Sequence, residues 1–108
     1  MGARTLLFVL HREQSVSLRE LCRLGRLSPA FAAELIDEGI IEPSNPEDDP
    51  LRWRFPMAAV ERARIAVQLA QDLGVNTPGA ALAVDLLERL RAMEARMRSL
   101  ERQLFAGE

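Results

Sequence analysis

Ser17–Gly39 runs SLRELCRLGRLSPAFAAELIDEG, and its punctuation decides the fold. Ser17 and Glu20 stand three apart ahead of an apolar run. That is the spacing of a capping box, in which a hydroxyl and a carboxylate each satisfy an orphan backbone amide. Leu18, Leu21 and Cys22 follow as the inward face of a first helix that ends near Gly25. Ser28-Pro29 restarts the chain: Ser caps, Pro at the first helical position loses no hydrogen bond, and Gly39 can take the left-handed conformation that closes a helix. Phe31, Leu35 and Ile36 face inward on this second helix. Two short helices joined by a tight turn containing Gly make a helix-turn-helix.

Outward from this core the chain alternates short extended runs with helices. Thr5–His11 is β-rich and predicts a short strand before the first helix. After the second helix, Ile40–Pro43 is extended and Ser44–Pro50 is a polar loop. Leu51-Arg52-Trp53-Arg54-Phe55 alternates in the manner of a short strand. Loop and strand together predict a wing. Pro56 opens a third helix to about Leu73, with Val60, Ala63, Val67 and Ala70 on one stripe, and Gly74 ends it. Thr77-Pro78 is expected to cap a last helix that can run to about Leu104.

Within that last helix Leu86, Leu90, Met93, Met97, Leu100 and Leu104 alternate spacings of four and three, an a/d seam over nearly three heptads. Asp85 with Arg89, and Glu94 with Arg98, are acid-first pairs that support a helix. The stripe could pack on its own domain. Yet the helix extends roughly 40 Å at 1.5 Å per residue, longer than a body this small. Its outer half therefore calls for a partner, most simply an identical helix, and a homodimer is expected. The expected architecture is mainly α: a winged helix-turn-helix over residues 1–76, and over 77–108 a C-terminal helix with a coiled-coil dimerisation seam.

Composition narrows the function. All 14 basic residues are Arg, set against 16 acidic residues, so the net charge of −2 marks neither a strongly basic nucleic-acid binder nor an acidic tail. The single cysteine, Cys22, rules out an internal disulfide and a multi-cysteine zinc site. It reads as a small core hydrophobe beside Leu18, Leu21 and Leu24, with a reactive thiol as the alternative. Leu6–Leu10 is too short for a secretory h-region, and nothing approaches the length of a membrane span. A cytoplasmic protein is expected. His11 has no companion ligand and the six glycines form no phosphate loop. Glu47-Asp48-Asp49 lacks the alternation and central Gly of a calcium site. No catalytic residue, metal site or cofactor is expected.

Charge then bears on the ligand of the helix-turn-helix. Phosphate contacts need Arg or Lys on the second helix and the wing. From Leu27 to Leu51 there is no basic residue, while Glu34, Asp37, Glu38, Glu42, Glu47, Asp48 and Asp49 all fall there. Such a surface repels a duplex. Glu34, Asp37, Glu38 and Glu42 are the candidate partner-binding residues, and a basic protein surface is their natural counterpart. Trp53 on the adjacent wing is either an exposed interface anchor with a charged rim or a ring buried against the second helix.

Leu27-Ser28-Pro29, Gly39-Ile40-Ile41-Glu42-Pro43, the aromatic Trp53-Arg54-Phe55 and the amphipathic helix after them resemble the MerR-type winged helix-turn-helix. From about Thr5 to Phe105 the chain is similar to the CbpM family of chaperone modulators, which join such a domain directly to a short terminal coiled coil. DNA-binding MerR regulators typically carry an Arg-Tyr pair within the second helix, where this chain has Ala33 and Glu34. The resemblance implies a partner, the J-domain of the DnaJ-like co-chaperone CbpA. It further implies inhibition of that co-chaperone's stimulation of DnaK and of its DNA binding. The alternative is a MerR-like transcription regulator, which would have to recruit Arg19, Arg23 and Arg26, or Arg52 and Arg54.

Overall fold

A computed structural model describes residues 14–107, and its element order is set largely by the caps. A two-residue strand β1 (Ser15–Val16) leads into α1 (Leu18–Gly25). The capping box is present: Ser17 Oγ accepts from the Glu20 amide and Glu20 Oε1 accepts from the Ser17 amide, each at 3.2 Å. The left-handed residue that ends α1 is Arg26, with φ of 56°, rather than Gly25. Leu27 N–H then reaches back to Cys22 carbonyl oxygen at 3.0 Å, which satisfies the last turn. Gly25 has a different role. It is buried, and a Cβ there would run into the Leu27 side chain.

Helix α2 (Pro29–Asp37) starts on Ser28, whose hydroxyl accepts from the Phe31 amide at 3.1 Å. It closes at Gly39, φ 73°, with Ile40 N–H bonded to Leu35 carbonyl oxygen at 2.9 Å and Gly39 N–H to Ile36 carbonyl oxygen at 3.0 Å. This paired closure is a Schellman motif, and it drops Ile40 and Ile41 into the core. Leu35 is fully buried as expected, together with Ala32, while Phe31 and Ile36 are half-buried.

The wing departs from its sequence expectation. Leu51–Phe55 is not a strand. Asp49 caps a single 3-10 turn at Pro50–Arg52 by accepting from the Leu51 amide at 3.0 Å, and Pro50 has φ already set for that turn. Only Phe55–Pro56 forms a strand, β2, and it pairs antiparallel with β1, Val16 opposite Phe55. Of the alternating apolar residues, Phe55 alone is fully buried. Trp53 is half-buried and Leu51 is 88% exposed. The expected strand at Thr5–His11 lies outside the described residues.

Helix α3 (Met57–Leu73) follows Pro56 and ends on Gly74, φ 65°. Its buried stripe is Ala59, Val60, Ala63 and Ala66; Val67 and Ala70 are only half-buried, so the inward face is turned slightly from the expected one. Small side chains here let α1 and the last helix approach closely. That helix, α4 (Thr77–Ala106), is capped by Asn76, not by Thr77: Asn76 Oδ1 accepts from the Gly79 amide at 2.8 Å. Its first two turns contribute Ala80 and Val84 to the core, beside Val16, Leu21, Leu35, Ile40, Ile41, Phe55 and Val60. Arg62 Nε of α3 lies 2.7 Å from Glu88 Oε1 of α4. Its N–H is not aimed along that line, so the attraction is Coulombic and not a directed hydrogen bond. Among the described residues no helix is long and apolar enough to cross a membrane.

Candidate protein-binding surface

Helix α2 turns one face inward through Ala32 and Leu35 and leaves the other to solvent. Positions three and four apart share a helix face, so Glu34, Asp37 and Glu38 stand together, all exposed. Ala33, beside Glu34, is exposed as well. The acids border a shallow groove whose far wall is Asn76, Thr77 and Pro78 at the start of α4. There the Thr77 hydroxyl donates to Glu34 Oε2 at 2.7 Å. Because Asn76 does the capping, Thr77 is free for this contact, which fixes one carboxylate of the face and seats α4 on α2.

Glu42 is exposed beyond the Gly39 turn and lines a neighbouring notch with Ile40, Ile41 and Arg62. Arg62 also lines a second notch with Glu38 and Asp85. One cation, reaching over from α3, thus stands among Glu38, Glu42, Asp85 and Glu88. Sequence reading missed it. The only local hint was a charged residue between the buried positions Ala59 and Ala63, with nothing in the neighbouring sequence to say what it faces.

Trp53 lines none of these grooves. Its Nε1 donates to the Glu47 carbonyl at 2.8 Å, and its ring stands edge-on to Phe55, with centroids 6.2 Å apart and planes at 83°. It therefore fastens the acidic loop to the core edge. Asn45 bridges the same loop, donating to the Arg52 carbonyl at 2.9 Å and accepting from the Arg54 amide at 2.7 Å. The Arg54 guanidinium holds β1, donating to the Ser15 carbonyl at 2.6 Å and the Ser15 hydroxyl at 3.1 Å.

The other six sequence-selected residues lie far along α4. Leu86, Leu90, Met93, Met97, Leu100 and Leu104 are 52–71% exposed, so the stripe does not pack on its own head. Val84, buried, and Leu86, exposed, are two residues apart and so about 200° around the helix at 3.6 residues per turn. The seam and the head contact occupy opposite faces.

Two groups in α1 have shifted titration. The Ser17 backbone and hydroxyl hydrogen bonds hold the Glu20 carboxyl below its ordinary value, with Arg54 and Arg23 adding to the effect. Burial pushes the Cys22 thiol up. Among the described residues, no cluster of three or more His, Cys, Asp or Glu is placed to hold a metal ion.

The family model for MerR HTH family regulatory proteins matches residues 16–102. The chaperone modulatory protein CbpM of Coxiella burnetii (strain Dugway 5J108-111) is 33% identical over 94 residues, covering 87% of each chain. The CbpM of Pseudomonas entomophila (strain L48) is 32% identical over 89 residues, 82% of this chain and 86% of the relative. That of Pseudomonas putida (strain W619) is 30% identical with the same coverage. These names point to non-enzymatic proteins. The mainly helical, MerR-type architecture and the match along most of the chain together place it: the chain belongs to the CbpM family of chaperone modulatory proteins.

Proposed function

We propose that this chain is a cytoplasmic homodimer that binds the J-domain of a DnaJ-like, CbpA-type co-chaperone through an acidic surface. Binding there inhibits the co-chaperone's stimulation of DnaK and its DNA binding. The head, residues 1–76, carries the contact surface, and the helix over 77–108 braces it and joins two copies. One observation carries the reading: the exposed face of α2, where a helix-turn-helix meets its ligand, bears Glu34, Asp37 and Glu38 and no cation. J-domains offer a basic helix to DnaK, and an acidic face complements it. Glu42 extends that face. Trp53 contributes by holding the acidic loop in place and can offer its exposed edge to the partner.

The DNA-binding alternative finds less support. Of the arginines it would need on the wing, Arg54 is engaged with Ser15.

Reversing both charges, Asp37→Arg with Glu38→Arg, should weaken co-chaperone binding by about 2–5 kcal/mol, the usual cost of mispairing charges in a desolvated contact. Isothermal calorimetry against the isolated J-domain measures this directly. An affinity equal to that of the unaltered chain would remove α2 from the interface.

A further inference from the structure

The turn between α1 and α2 lies over α3 and leaves an open trough beside it. One arm, of about 260 Å³, is lined by Leu27, Phe31, Val67 and Ala70, all apolar and all half-buried. The other, of about 590 Å³, continues along α3 to Arg64. Arg26, Val67 and Gln71 line both arms, so the two form one trough with an apolar floor and a polar rim. It shares no residue with the grooves bordered by Glu34, Asp37, Glu38 and Glu42.

The rim is cationic. Among the described residues Arg26 is the single non-glycine with positive φ, at 56°. The corresponding ends of α2 and α3 use Gly39 and Gly74, the residue this conformation favours. The chain thus keeps a side chain where glycine is the less strained choice, and that side chain borders both arms of the trough. Backbone strain retained in this way collects at ligand contacts. Among the described residues Arg26 makes no ion pair. Arg64 donates its Nε to the Leu24 carbonyl at 3.2 Å, which anchors it at the edge of the trough, and it meets Glu61 only at 3.7 Å. Two exposed guanidinium groups therefore stand beside a floor of half-buried hydrophobic side chains.

We propose that this trough docks an acidic peptide segment of a partner protein. Its apolar side chains sit over Phe31 and Val67, and its carboxylates meet Arg26 and Arg64. Charge complementarity selects this occupant. The chain's own residues 1–13 are apolar at Leu6–Leu10 but carry Arg4 and Arg12 against one acid, Glu13, so they bring the wrong sign. A nucleic-acid backbone supplies anions but nothing for the apolar floor, and the exposed acids of α2 repel it. An acidic, apolar peptide answers both features. The chain then presents two docking faces of opposite charge, and this one stands independently of the acidic face of α2.

Fluorescence anisotropy with the full chain tests this. The ligands are labelled synthetic peptides rich in aspartate that carry a leucine and a phenylalanine at varied spacing. At low salt the best spacing should bind saturably, with a Kd of about 100 μM or tighter. Replacing its aspartates by asparagine, or its two apolar residues by serine, should abolish saturation. Arg26→Gly should weaken binding about fivefold, the upper end for an exposed charge pair. Its melting temperature should equal or exceed that of the parent chain, because glycine relieves the left-handed backbone. Gln71→Glu should weaken binding similarly by placing a carboxylate on the rim. Asp37→Arg with Glu38→Arg should leave it unchanged within about twofold, which separates this surface from the acidic one. Absence of saturable binding at every spacing, or full affinity in Arg26→Gly, overturns the proposal. Equal competition by a DNA duplex, or by a peptide of residues 1–13, overturns it as well.

Discussion

At the scale of single residues, side chains that sequence marks as functional often turn out to hold the fold. Trp53 could be read as an exposed anchor or as a buried ring; it is half-buried, giving its indole N–H to Glu47 and its ring edge to Phe55. Arg54 looks like a phosphate contact and instead clamps Ser15. Two predictions belong here. Burial raises the Cys22 thiol, so at neutral pH it stays protonated and alkylation by iodoacetamide should be much slower in the native chain than in guanidinium. Equal rates would contradict this. The Glu20 carboxyl is depressed by the capping box, so its contribution to stability is complete above the unfolded value, roughly 4.3, and is lost as pH falls through the lower folded value. Thermal melts between pH 6 and 3 should therefore fall less steeply for Glu20→Gln than for the parent chain; parallel curves would show that the box is idle.

At the scale of elements, what sequence made legible was what is encoded locally. Ser17 with Glu20, Ser28 with Pro29, and Gly39 and Gly74 each act within a few residues of themselves, and each marks the helix end it announces. Leu51–Phe55 misled because alternation is also compatible with an Asp-Pro turn, and Asp49 with Pro50 made that turn. Asn76 and Thr77 are both competent caps; Asn76 took the role, and the Thr77 hydroxyl went to Glu34 instead. Arg62 and the Thr77–Glu34 bond join elements distant in sequence, so only three-dimensional packing reveals them. The acids of α2 could be read directly, because helical spacing alone puts them on one face. The two faces of α4 make a sharp contrast testable by mutation. Val84→Asp should unfold the head, since it leaves a charge unpaired in the core and costs about 3–5 kcal/mol. Leu90→Asp with Met97→Asp should leave the head's cooperative transition nearly in place while abolishing self-association by sedimentation. Loss of the fold in the second variant would mean that the seam packs on its own head.

At the scale of the whole molecule, the acidic face of α2 and the apolar stripe of α4 lie apart on a body 56 Å long. The head places acids outward where a helix-turn-helix meets its ligand, and α4 carries an apolar seam outward on the side away from that head. If the seam joins two copies, the melting temperature should rise with protein concentration, because only the folded chain associates. Inhibition of the co-chaperone is read most directly from the steady-state ATPase rate of DnaK stimulated by a CbpA-type co-chaperone, with this chain titrated in. If the acidic face of α2 occupies the J-domain, the rate should fall to the unstimulated value as the chain saturates it, and Asp37→Arg with Glu38→Arg should shift the half-inhibiting concentration upward by at least about thirtyfold, the equivalent of about 2 kcal/mol. A stimulated rate that stays constant at saturating chain would contradict it.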